Sequence, residues 1–131
     1  YEDQGVATLE DGLYVLGPKL KDPAFVTRMG KFVAASMKGW EYALKNQDEA
    51  VKIVLAADAS GGSTAAVQKR QLENVAKLIT VANGPKMGYL EPAAFQRTVK
   101  VLLAGGSDPV IKKDPGAEAW THAVWNKATG K

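Results

Sequence analysis

TLEDGLYVLGPKLKDPAF, residues 8–25, holds the only convincing β-strand pattern in the chain, Gly12-Leu13-Tyr14-Val15-Leu16. Five residues without a charge, closed by Gly17-Pro18, read as a strand covered on both faces, as in parallel or mixed α/β sheets. A strand leaves its backbone N–H and C=O groups pointing sideways and needs neighbours to satisfy them. The downstream residues offer none. Asp22-Pro23 is a strong helix start, with Asp22 placed to cap and Pro23 at a position where its missing N–H costs nothing. Phe25, Val26, Met29, Phe32, Val33, Met37, Trp40 and Leu44 then recur at helical spacing, which predicts a long helix to about Lys45 with that stripe inward. Tyr42 falls off the stripe. Gly30 and Gly39 weaken this helix and mark places where another backbone approaches closely.

Asn46 with Glu49 three residues on predicts a capped second helix through Val51 and Leu55, ending near Asp58. A third helix is expected from Ala65 to about Ala82, stopped by Asn83-Gly84-Pro85. A fourth starts at Pro92 and closes at Gly105-Gly106, and a last one carries Trp120, Val124 and Trp125. Met87–Leu90 and the neighbourhood of Val110 are weakly extended and too short to build a sheet. The expectation is a mostly α segment of about five helices with one or two short strands. Since an isolated strand is marginal in water, the partners of Gly12–Leu16 are expected outside these 131 residues, or in a second copy of the chain. The first residue is Tyr1 rather than Met, as expected of a chain whose leader was removed or of a piece of something longer.

Composition limits the function classes. The 46% hydrophobic and 24% charged fractions are those of a globular domain. No apolar run approaches the roughly 18 residues that span a bilayer, and no signal peptide is visible. The 17 basic and 14 acidic residues are scattered, with Lys69-Arg70 and Lys112-Lys113 the only basic doublets, so no nucleic-acid surface is expected. The absence of cysteine removes disulfides, thiolate metal sites and thiol nucleophiles. His122, the single histidine, reads as a partly exposed residue of the last helix, with no orienting carboxylate or metal partner indicated. SGGST (60–64) and AGGS (104–107) invite a phosphate-cradle reading, yet neither has the P-loop spacing nor follows a strand; a capped loop and a helix terminator are the expectation. The carboxylate doublets Glu2-Asp3 and Glu10-Asp11 point to opposite sides of an extended chain and make no acid–base pair. Tyr14, mid-strand, carries a hydroxyl that wants a partner when buried.

The order of these features is similar to that of a known family. EDGLYVLGPKLKDPAFVTRMGKFVAASMKGWEYALKNQDEAVKIVL (10–55), then GYLEPAAFQRTVKVLL (88–103) and DPVIKKDPGAEAWTHAVW (108–125), resembles the C-terminal part of ABC-transporter periplasmic substrate-binding proteins. The group in question binds thiamine-pyrimidine precursors, with relatives that bind nitrate, taurine and alkanesulfonates. Members commonly have proline where this chain has Gln47. The resemblance spans nearly the whole chain and lies in the order and spacing of the motifs. It implies an α/β parent of two lobes, the type II periplasmic-binding-protein fold, closing by hinge motion on a small organic molecule or anion. Residues 1–17 would be the crossover returning to the first lobe, and 18–131 the helical layer of that lobe. Asp11, Gly12 and Tyr14 would then take hinge or cleft-edge roles toward a small-molecule ligand. The implied partners are ABC permease subunits, the implied location is the periplasm, and no catalytic residue, metal or cofactor is implied. Two rivals remain: a pyrimidine-precursor synthase of the same family, which uses a cysteine cluster absent here, and a free-standing helical domain that dimerises.

Overall fold

The computed structural model describes residues 2–5, 7–9, 11–79 and 86–131. Among them are five α-helices, α1 Pro23–Lys45, α2 Gln47–Ala57, α3 Ala65–Ile79, α4 Pro92–Leu103 and α5 Ala123–Thr129, with short 3-10 helices at Glu2–Gln4, Gly17–Lys21 and Ala117–Ala119. The chain is mostly helical, as its pattern dictates.

The helix boundaries follow local chemistry. Asp22 Oδ1 accepts the Ala24 N–H at 2.8 Å with Pro23 in the first turn, which starts α1 where the sequence places it. At the other end the expected capping box is not formed. Asn46 turns its side chain back, its Nδ2 donating to the Tyr42 carbonyl at 2.9 Å, so it closes α1 instead of opening α2. Only one residue separates the two helices, and the Tyr42 carbonyl in the last turn of α1 accepts both the backbone and the side-chain N–H of Asn46. The Asp58–Thr64 loop leads to α3, where Thr64 Oγ1 accepts the Val67 N–H at 3.4 Å. The expected end of α3 at Ala82 and its Asn83-Gly84-Pro85 stop lie outside the described residues. After α4, Gly106 takes φ +68°, a left-handed turn that glycine allows.

The expected extended segments and the start of the last helix also differ. Gly12–Leu16 is not a strand, and no strand occurs among the described residues. The reason is the one its pattern raised: no neighbouring segment supplies a ladder. Leu16 keeps extended backbone (φ −67°, ψ 126°), and the Tyr14 ring lies on the same side as Gly12, as residues two apart do in an extended chain. Met87–Gly88 forms a turn, and Val110 stands exposed in a bend, so neither contributes a strand. Trp120 precedes α5 in extended conformation, because Thr121 Oγ1 accepts the Ala123 N–H and starts the helix later.

The helices make two bodies of contact. α5 crosses α1 at Gly30, where a Cβ would sit 2.9 Å from Lys127 Cγ and 3.3 Å from the Ala128 backbone nitrogen; the glycine is what permits the crossing. Trp125, 6% exposed, is the anchor of this body, its Nε1 donating to the Met87 carbonyl at 3.1 Å while its ring approaches Gly88, itself beside Met37 of α1. α2 and α3 form a helical hairpin, joined to α1 through the Asn46 corner, with Ala50 and Val51 buried. Ahead of α1, the Gly17–Lys21 turn lies on that helix, and the segment before it reaches α4, with the Leu9 N–H donating to Thr98 Oγ1 at 2.9 Å and Arg97 Nε to the Ala7 carbonyl at 3.3 Å.

The core is small. The buried hydrophobic residues among the described residues are Ala50, Val51, Val99 and Trp125. Phe32 and Trp40, expected inward from their spacing, are 53% and 44% exposed. The other six residues of the α1 stripe are half-buried, so α5 and α2 cover the stripe only in part.

Candidate functional site

The three residues singled out in the sequence share one exposed arm. Asp11 and Gly12 are exposed, and Tyr14 is 86% exposed. A Cβ on Gly12 would lie 3.1 Å from Tyr14 Oη, so these two touch, while neither of the main surface clefts includes any of the three. Along Gly12–Val15 no backbone N–H or C=O is hydrogen-bonded among the described residues. Leu13 and Leu16 are also exposed beside Tyr14, although such side chains gain roughly 1.5–3 kcal/mol each from full burial.

A second feature was marked in the sequence only by Gly39. α1, α2 and α3 enclose an open apolar cleft of about 420 Å³, lined by Trp40, Ala43, Val51, Val54, Leu72 and Val75. Gly39 lines it too, and a Cβ there would meet no atom within 4 Å. Gly30 thus has the close neighbour its residue type announced, and Gly39 has none among the described residues. On the rim between α2 and α3, Lys69 Nζ pairs with Asp48 Oδ1 at 2.7 Å. This hydrogen bond and charge hold the Asp48 carboxyl below its ordinary value and raise the Lys69 ammonium above its own. Across the α1–α2 corner, the Glu49 carboxylate beside the Tyr42 hydroxyl raises that phenol's pKa. Tyr42 and Glu49 together close the corner that Asn46 begins.

The chemistry-bearing candidates resolve into structural roles. His122 precedes α5, half-buried, with Nε2 2.7 Å from the Leu90 carbonyl oxygen; that nitrogen donates, which fixes its proton there. Its ring stacks on Tyr89 at 4.2 Å between centroids and meets Trp120 edge-on at 4.7 Å. No carboxylate or hydroxyl is hydrogen-bonded to its ring among the described residues, and the cluster works as the clamp that holds the 86–90 segment against α5. The SGGST loop is filled by its own anion. The Asp58 carboxylate accepts from the Ser60 hydroxyl and N–H, and these bonds, with smaller ones from Gly61 and Ser63, lower its pKa. A phosphate would find those donors taken. AGGS ends α4, with the Ala104 carbonyl accepting the Gly106 N–H at 2.7 Å. Glu10 of the acidic doublet lies outside the described residues. Among the described residues no group of three His, Asp or Glu side chains is placed to hold a metal ion, and no helix is long and apolar enough to cross a membrane.

No protein-family model, no curated protein and no solved structure matches this chain.

Proposed function

We propose that residues 1–131 are the C-terminal part of a two-lobed, type II periplasmic solute-binding protein, the α/β component of an ABC importer that captures a small organic molecule or anion and delivers it to permease subunits. The observation that carries this reading is the size of the uncovered surface. A compact monomer of this mass exposes about 6,700 Å², whereas this chain exposes 9924 Å². The surplus, roughly 3,300 Å², is several times the ~800 Å² that each partner contributes to a standard protein–protein interface. A cover of domain size fits it better than a second copy docking through one face, which weighs against the dimerising-domain alternative. The surplus is also apolar where it matters: Phe32 and Trp40 of the α1 stripe, the α1–α3 cleft and the unpaired arm.

In this reading residues 18–131 are a helical layer over the sheet of the first lobe, and residues 1–17 are the crossover from the second lobe, with Asp11, Gly12 and Tyr14 at the hinge. The family resemblance supplies the function and the periplasmic location; the geometry supports the incompleteness that this resemblance implies. Binding without catalysis is the role consistent with both, since the enzyme alternative relies on cysteines this chain does not carry.

Native mass spectrometry of the intact gene product, purified without added ligand, tests the reading. A small molecule retained in the native state and released on denaturation is expected, together with recovery of the protein by osmotic shock. A gene product that carries no releasable molecule, stays with the cytoplasm, or turns over a substrate overturns it.

A further inference from the structure

We propose that Asp11-Gly12 is a site of spontaneous covalent modification, where the 131-residue chain isomerises from an aspartyl to an isoaspartyl linkage through a cyclic imide. The Gly12 backbone nitrogen attacks Asp11 Cγ. A C–N bond forms, the Cγ–OH bond breaks, and that hydroxyl leaves with the amide proton as water. Solvent water then opens the five-membered ring at either carbonyl. Opening at Cγ restores aspartate, whereas opening at the main-chain carbon leaves Gly12 attached through Cγ and frees the Asp11 α-carboxylate. Mass and net charge are unchanged, and nothing is oxidised or reduced. The chemistry belongs to the chain itself and holds whether or not the importer reading does.

The structure selects Asp11 from the other aspartates. Ring closure needs a following residue with an N–H, room around that nitrogen, and a backbone free to rotate. Asp22, Asp108 and Asp114 each precede proline, which has no N–H. Asp3 lies in the Glu2–Gln4 turn and Asp48 in α2, where helical dihedrals fix the backbone. Asp48 is also held by Lys69 Nζ at 2.7 Å. Asp58 accepts the Ser60 N–H at 2.9 Å, and Ala59 after it carries a Cβ. Asp11 meets all three conditions. It is exposed, outside any helix or turn, and the exposed Gly12 has an N–H that no described residue bonds. Glycine leaves that nitrogen unshielded and its own dihedrals unrestricted. The product adds a methylene to the main chain just beyond the residues held to α4 by Arg97 and Thr98, so Leu13–Leu16 no longer alternate in step with them.

Ageing the 131-residue chain at near-neutral pH and physiological temperature tests this. Tryptic peptide 1–19 should split with time into two peaks of equal mass, and electron-transfer fragmentation should place the isoaspartyl bond at Asp11, not Asp3. The new peak, once isolated, should accept a methyl group from S-adenosylmethionine through a protein isoaspartyl methyltransferase. The peptides holding Asp48 and Asp58 should not split at constant mass. Asp11→Glu should abolish the second peak, because its ring would have six members, and Gly12→Ala should slow it by shielding the nitrogen. In urea the rate at Asp11 should stay within about threefold of the native rate, as for a segment whose local opening costs close to nothing. A peptide 1–19 that stays single, or that splits at Asp3, overturns the proposal. Splitting that Gly12→Ala leaves unchanged, or that urea accelerates well beyond threefold, overturns it equally, since the folded chain would then restrain Asp11 or the attack would come from elsewhere.

Discussion

At the residue scale, two glycines in one helix are put to different uses. Each costs about 1 kcal/mol relative to alanine in a helix interior. Gly30→Ala would place a methyl 2.9 Å from Lys127 Cγ and 3.0 Å from Lys127 Cβ, close enough to the α5 backbone that the helix must shift. The overpacking should outweigh the helix gain and destabilise the 131-residue chain by about 1–2 kcal/mol. Gly39→Ala meets open space and should stabilise the same chain by about 0.5–1 kcal/mol. Urea denaturation of the two variants beside the parent chain checks the opposite signs. Trp125 is the other residue on which the body depends. Its truncation to alanine should cost about 3–5 kcal/mol and release the 86–90 segment along with α5, seen as loss of the near-ultraviolet circular dichroism of the Tyr89–His122–Trp125 cluster. His122 illustrates how a residue type misleads: imidazole chemistry suggests catalysis, and a carbonyl partner and two ring contacts make it a structural donor.

At the element scale, helices were legible where their ends are chemically local. Asp22-Pro23 and Pro92 start helices because capping and proline geometry act over two or three residues, and both helices begin at those prolines. The Asn46 corner departs from its sequence pattern because two helix ends compete for one amide, and that competition exists only once both helices are formed. The α2–α3 hairpin is joined across its rim by Lys69 and Asp48. Asp48 titrates below its ordinary value in the folded chain, so its contribution is present at pH values above the unfolded carboxylate pKa of about 3.9 and is lost as pH falls through the lower folded value. Asp48→Asn should therefore lower the melting temperature slightly at about pH 7 in low salt. The difference should shrink in about 1 M salt and fade once the pH drops beneath the lowered folded value; a difference that persists at strongly acid pH would show that the asparagine acts by another route. Because the pair is solvent-exposed, the effect is a small one.

At the scale of the whole molecule, the exposed area has a thermodynamic consequence. An unfolded chain of this mass exposes about 20,000 Å², so a compact fold would bury about 13,500 Å², while this one buries roughly 10,000 Å². The denaturant slope scales with area exposed on unfolding, and the isolated chain should unfold in urea with a slope about three quarters of that of a compact domain of equal length. A slope matching the compact value would mean that the chain closes its surface in solution, and the incomplete-layer account would lose its support. Phe32 and Trp40 belong to this scale too: their spacing predicts a place in the core, both are exposed, and nothing in that spacing says whether a neighbour stands opposite.

The sequence by itself determined the mostly helical character of this protein, the starts of α1 and α4 at their prolines and the unsatisfied demand of Gly12–Leu16, because periodicity, capping and chain conformation are properties of neighbours along the chain. Tertiary structure alone decided which apolar faces are covered, that Asn46 serves α1, that His122 is held by Leu90, and that the α1–α3 cleft stands open. Burial and hydrogen-bond partnership depend on segments far apart in sequence. A stripe of apolar residues records that a face seeks cover, and only the assembled chain records whether the cover is there.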